Sequence, residues 1–87
     1  MKSTRATRYI VAAAQRSING GVTVELDRSY STVAMGIPGS ESGCFMQGDD
    51  AENFIAEVDA LCRRYPSLSD DIAALALAEP YAECFAN

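Results

Sequence analysis

Eighty-seven residues, 48% apolar and 22% charged, are enough for one globular domain with a single core, and that balance excludes wholesale disorder. Histidine is absent and the net charge is −5, which removes the commonest general acid–base group and the commonest metal ligand together. So short a chain buries only about 60–65% of its unfolded surface, so marginal stability is expected unless association adds to it.

The amino end, "MKSTRATRYIVAAAQRS", has the early positive charge of a secretory leader. Its apolar stretch "YIVAAA" nevertheless stops at Gln15 and Arg16, short of what such a leader needs. No segment approaches the ~20 apolar residues of a membrane span, so a cytoplasmic location is expected. Residues 4 to 18 read as a helix: Ala6, Tyr9, Ile10, Ala13, Ala14 and Ile18 recur at spacings of three and four, and "NGG" stops the pattern. At ~100° per residue, Arg5, Arg8, Ala12 and Arg16 fall together on the opposite side as an exposed basic stripe.

"VTVELD" (22 to 27) alternates strictly, as a half-buried strand does. "RSYS" turns the chain, and "TVAMGI" (32 to 37) alternates again before Pro38 and Gly39 end it. "GSESG" (39 to 43) is a polar hairpin loop and "CFMQ" (44 to 47) a short third strand. Together these predict an antiparallel meander with one face for helices.

A second helix is predicted from Asp50 to about Tyr65, with Phe54, Ile55, Val58, Leu61, Cys62 and Tyr65 on one apolar stripe and Pro66 closing it. "SLSDD" opens a third, with Ser67 or Ser69 as cap and "IAALALAE" as its body. Pro80 breaks it or begins a last turn in which Tyr81, Cys84 and Phe85 share a face. The expected architecture is a single α+β domain over residues 1–87, in the order α-β-β-β-α-α, with a three-stranded antiparallel sheet against helices.

Charge is divided along this order. Residues 1 to 20 hold four cations and no acid, whereas the remainder holds three arginines against all twelve acids, a balance of −9. Direct nucleic-acid binding by that acidic body is disfavoured, since phosphate contacts need cations. Asp49 or Asp50 falls where a helix cap belongs, and Glu52 falls in the first turn, where the helix dipole favours negative charge. A Mg²⁺ or Ca²⁺ site would need several convergent oxygens, and no EF-hand loop pattern is present. The other role for these carboxylates is recognition. Glu52 and Asp59 lie a heptad apart on the outward side, with Asp59 four residues before Arg63; Glu57 and Arg64 border the other flank. Ala56 and Ala60 leave that face open to close approach, and Asp70 and Asp71 extend the acidic field.

Catalysis finds little support. Cys44, Cys62 and Cys84 are an odd number at long spacings, without a C-x-x-C, and read as reduced thiols. A nucleophilic Ser or Cys would lack a histidine base, and Lys2 is the only lysine. "GIPGSESG" has neither the spacing of a nucleophile elbow nor the lysine of a phosphate-binding loop.

The order α-β-β-β-α over residues 4 to 65 is similar to the double-stranded-RNA-binding domain. In that family the amino end of the second helix is lysine-rich and grips phosphates; here Asp49, Asp50 and Glu52 stand there, so the topology carries over and RNA binding does not. In size, charge and layout, and in "GDDAENFIAEVDAL" after a short strand, the chain also resembles small acidic accessory proteins of phages and mobile elements, among them the anti-CRISPR proteins. That resemblance implies a protein that is not an enzyme and binds an effector complex, with carboxylates in place of phosphates.

The expectation is therefore a non-catalytic binding protein, without cofactor or metal, that inhibits or modulates a nucleic-acid-processing complex. Asp49, Asp50, Glu52, Glu57, Asp59, Asp70 and Asp71 would meet a basic surface on a protein partner. The alternatives are a nucleic-acid-binding module using Arg5, Arg8 and Arg16, and a homodimer joined through sheet edges or the Tyr81/Phe85 face.

Overall fold

A computed structural model describes residues 4–82 and bears out the expected order. Helix α1 spans Thr4–Asn19, strands β1, β2 and β3 span Thr23–Asp27, Thr32–Gly36 and Gly43–Gln47, and helices α2 and α3 span Gly48–Arg64 and Asp70–Ala78. A single 3₁₀ turn, Glu79–Tyr81, follows. The expected grouping of Cys84 and Phe85 with Tyr81 lies outside the described residues.

The sheet is an antiparallel meander in the order β1-β2-β3. Its register aligns Leu26, Val33 and Met46 in one row and Val24, Met35 and Cys44 in another. Because strand side chains alternate, both rows point the same way, toward the helices. Val33, Met35 and Met46 are buried there against Ala51, Phe54, Ile55 and Val58 of α2, and Ala73, Ala74 and Ala78 of α3 complete the core. No described helix covers the opposite face: Glu25, Ala34 and Phe45 lie abreast, with Phe45 64% exposed.

Helix α1 packs chiefly on α3. Its end is a Schellman motif: the Val22 N–H donates to Ser17 O at 2.9 Å and the Gly21 N–H to Ile18 O at 2.9 Å. Gly21 takes the left-handed conformation this requires, with φ +83. The inner face of α1 keeps Ala6, Ile10, Ala13 and Ala14 of the expected stripe but departs from it at its edges. Tyr9 is 70% and Ile18 44% exposed, while Ala14 and Ser17 are buried. The Ser17 hydroxyl donates to Leu75 O of α3 at 2.7 Å. For a side chain as short as serine to reach a neighbouring backbone, the two helices must lie close. Small residues therefore take the interface, and the larger Tyr9 and Ile18 stay outside it.

One helix start differs from expectation, and the other selects between the two caps offered. The N-cap of α2 is Gln47, without a side-chain cap bond, rather than Asp49 or Asp50. Gly48, at φ +64, turns the chain from β3 directly into α2, and the two aspartates occupy the first turn. There their charge still complements the helix dipole. For α3 the cap is Ser69, whose Oγ accepts from the Ile72 N–H at 3.2 Å.

Candidate functional site: the acidic flank of the second helix

The seven carboxylates singled out from the sequence separate into three groups. Asp59 and Asp70 are drawn together by Arg28, which lies in the turn between β1 and β2. Its Nη2 donates to Asp59 Oδ1 at 2.6 Å and lies 3.3 Å from Asp70 Oδ2. The hydrogen bond that Arg28 donates to Asp59, with the negative charge of both aspartates, raises the Arg28 pKa above its ordinary value. Asp59 thus pairs across the fold with Arg28, not with Arg63 four residues on, as the helix spacing suggested. The Cys62 thiol joins the cluster, donating to Asp70 Oδ1 at 3.4 Å. Burial pushes the pKa of this thiol up, and Asp70 and Asp59 add to the effect. Glu52 flanks this cluster, in a shallow depression shared with Arg28, Ser31 and Asp59.

Asp71 stands apart from the other six. It lies at the start of α3, by a hollow that reaches Glu25 and Asp27 of β1.

The third group comprises Asp49, Asp50 and Glu57. All three are exposed, and none is ion-paired with a described residue. Asp50 and Glu57 lie seven positions apart, with Asn53 between them, along one side of α2. That side borders a cleft of about 500 Å³ between α2 and β3. Met46, Phe54 and Tyr81 are among the residues that line it. Phe54 and Tyr81 meet edge to face, their ring centroids 6.2 Å apart, which fixes the apolar wall.

Among the described residues no group of three or more Cys, Asp or Glu side chains is placed to hold a metal ion. No described helix is long and apolar enough to cross a membrane. On α1, Arg5, Arg8 and Arg16 are exposed as expected, but Arg16 Nε donates to Glu79 Oε2 at 3.2 Å, so the basic stripe is part-neutralised.

The sequence reading passed over three participants. Arg28 had no motif around it, and only the fold brings it to Asp59. Phe45 could have been read, because Cys44 and Met46 facing inward force it outward. Tyr81, in the 3₁₀ turn, forms part of this cleft. Compared with protein-family models, curated proteins and solved structures, the chain matches none.

Proposed function

We propose that this chain is a cytoplasmic, non-catalytic binding protein that inhibits or modulates a nucleic-acid-processing complex, in the manner its resemblance to anti-CRISPR proteins implies. The observation that carries the reading is the acidic flank Asp49, Asp50 and Glu57, ion-paired with no described residue, of which Asp50 and Glu57 line the cleft between α2 and β3. A cationic surface that evolved to hold phosphates would find carboxylates in their place, and the exposed Phe45 ring at the cleft would add buried contact area. Asp59 and Asp70 contribute less to the outward field than their number suggests, because Arg28 already offsets them.

The test is affinity capture from host lysate with wild-type protein and with the double variant Asp50→Lys/Glu57→Lys, followed by mass spectrometry. The expected result is a nucleic-acid-processing protein that is retained by the wild type and lost with the variant. Its association should slow markedly between about 0.05 and 0.5 M salt. Capture that is indifferent to both charge reversal and salt would refute the reading. So would tight, salt-sensitive binding of duplex DNA or RNA by the isolated protein, which would favour Arg5 and Arg8 instead.

A further inference from the structure

Strand β3 is the open edge of the sheet. It ends the order β1-β2-β3, and its five residues, Gly-Cys-Phe-Met-Gln, include no charge and no proline. Lysine, proline and inward charge are the usual devices that stop an edge strand from pairing with another chain. The other edge carries charge: β1 includes Glu25 and Asp27, whereas a helix packs beside each edge, α3 by β1 and α2 by β3. In an antiparallel pair, alternate backbone N–H and C=O groups of the outer strand point away from its partner.

The cleft and the edge together define what fits. Cys44, Phe45 and Met46 of β3 line the same cleft as Asp50, Asn53 and Glu57 of α2. An incoming extended segment would find backbone partners along β3, the exposed ring of Phe45, and carboxylates along one side. Asp50 and Glu57, seven helical residues apart, are separated by about 10 Å along the axis. Alternate residues of a strand lie about 7 Å apart, so long cationic side chains at alternate positions reach both carboxylates.

We infer that the β3 edge and the adjoining cleft bind an extended, basic segment of the partner protein by strand addition, with its lysines or arginines facing Asp50 and Glu57. The inference rests on the acidic reading above and names the form of the partner. Charge disfavours the other occupants. Antiparallel pairing of β3 with β3 of a second copy would keep both α2 helices on one side of the joined sheet, setting Asp50 and Glu57 against their own counterparts. The chain's own last five residues contain Glu83 and no cation.

The probe is an end-blocked hexapeptide alternating lysine and valine, titrated into the ¹⁵N-labelled full chain. Two controls accompany it: the same peptide N-methylated at alternate residues, which cannot pair as a strand, and a glutamate–valine counterpart. The expected result is movement of amide signals confined to β3 and to residues 50–57, with slowed hydrogen exchange along β3. Affinity should fall at least tenfold with N-methylation, and likewise with Asp50→Lys/Glu57→Lys. No binding up to about 1 mM, or signals moving only elsewhere, would overturn the inference. So would a dimer in sedimentation whose β3 amides are already protected, or movement of β3 signals when residues 83–87 are removed without peptide. If lysate capture is lost on charge reversal yet the lysine–valine peptide does not compete, strand addition fails while the acidic reading stands. If capture ignores charge reversal, the acidic reading itself fails.

Discussion

Arg28 Nη2 lies 2.6 Å from Asp59 Oδ1 across 31 positions of sequence, and this contact ties the turn between β1 and β2 to the middle of α2. With Asp70 at 3.3 Å, one guanidinium joins three elements: the turn, α2 and the start of α3. All three side chains are 41–55% exposed, so solvent screens the interaction and its contribution to stability is small. Arg28→Gln should lower the unfolding free energy by about 0.5–1 kcal/mol, measured by urea denaturation. The same variant removes a positive charge from beside two carboxylates. If the α2 surface steers a cationic partner, association should become faster at low salt and stay near wild type at high salt. A slower association would assign Arg28 itself to the interface.

The Cys62 thiol should show its surroundings in the pH dependence of stability. Burial and Asp70 raise its pKa in the folded state, so above about pH 8.5 the unfolded chain ionises first. The stability supplied by this thiol is fully present below that pH and is lost as pH rises toward the folded value. Wild-type protein should therefore lose more stability between about pH 7.5 and 9.5 than Cys62→Ser does, as urea midpoints would report. Alkylation of Cys62 should be slower than that of an unstructured thiol, and slower again in Arg28→Gln, because Arg28 lowers the Cys62 pKa. Equal pH slopes in wild type and Cys62→Ser would show that the thiol is not perturbed.

The fold was legible wherever a period governed burial. Strict alternation at Val24–Leu26 and Val33–Met35 fixed the inward rows of the sheet, and the stripe Phe54–Ile55–Val58 fixed the inner side of α2. On α1 the period placed Ala6, Ile10, Ala13 and Ala14 inward but missed at Tyr9, Ser17 and Ile18, because apolarity alone does not specify how close the neighbour comes. The neighbour is α3, with buried Ala73, Ala74 and Ala78, and close approach there selects Ala14 and Ser17 over Tyr9 and Ile18. The candidate site was legible to the same extent. Helical spacing places Asp50 and Glu57 on one flank, but whether a carboxylate is neutralised depends on contacts distant in sequence. Arg28 with Asp59 is one, and Arg16 with Glu79, 63 positions apart, is another.

The start of α3 offers two serines, and only one acts as the cap. Ser69 Oγ accepts from the Ile72 N–H at 3.2 Å, satisfying one of the free donors of the first turn. Ser69→Ala should cost about 1 kcal/mol, whereas Ser67→Ala should cost less than about 0.5 kcal/mol. Thermal or urea unfolding of the two variants side by side provides the check. Reversed costs would place the cap two residues earlier and shift the first turn of α3, with it Asp70, relative to Arg28.

Gly48 sets the direction in which α2, and with it Asp50 and Glu57, leaves the sheet. At φ +64 it occupies the left-handed region, and a Cβ built there would meet nothing within 4 Å. The penalty for Gly48→Ala is therefore conformational rather than steric, about 1–2 kcal/mol. For a domain of this size that corresponds to a fall of about 4–15 °C in Tm, read by circular dichroism. Gly48→Asn should lose less, because asparagine tolerates this conformation better than alanine. Since nothing crowds the position, both variants should keep the β3–α2 cleft and any binding that depends on Asp50 and Glu57. A Gly48→Ala protein as stable as wild type would mean that the junction can relax to negative φ, and the line of carboxylates beside β3 would then not be held by this glycine.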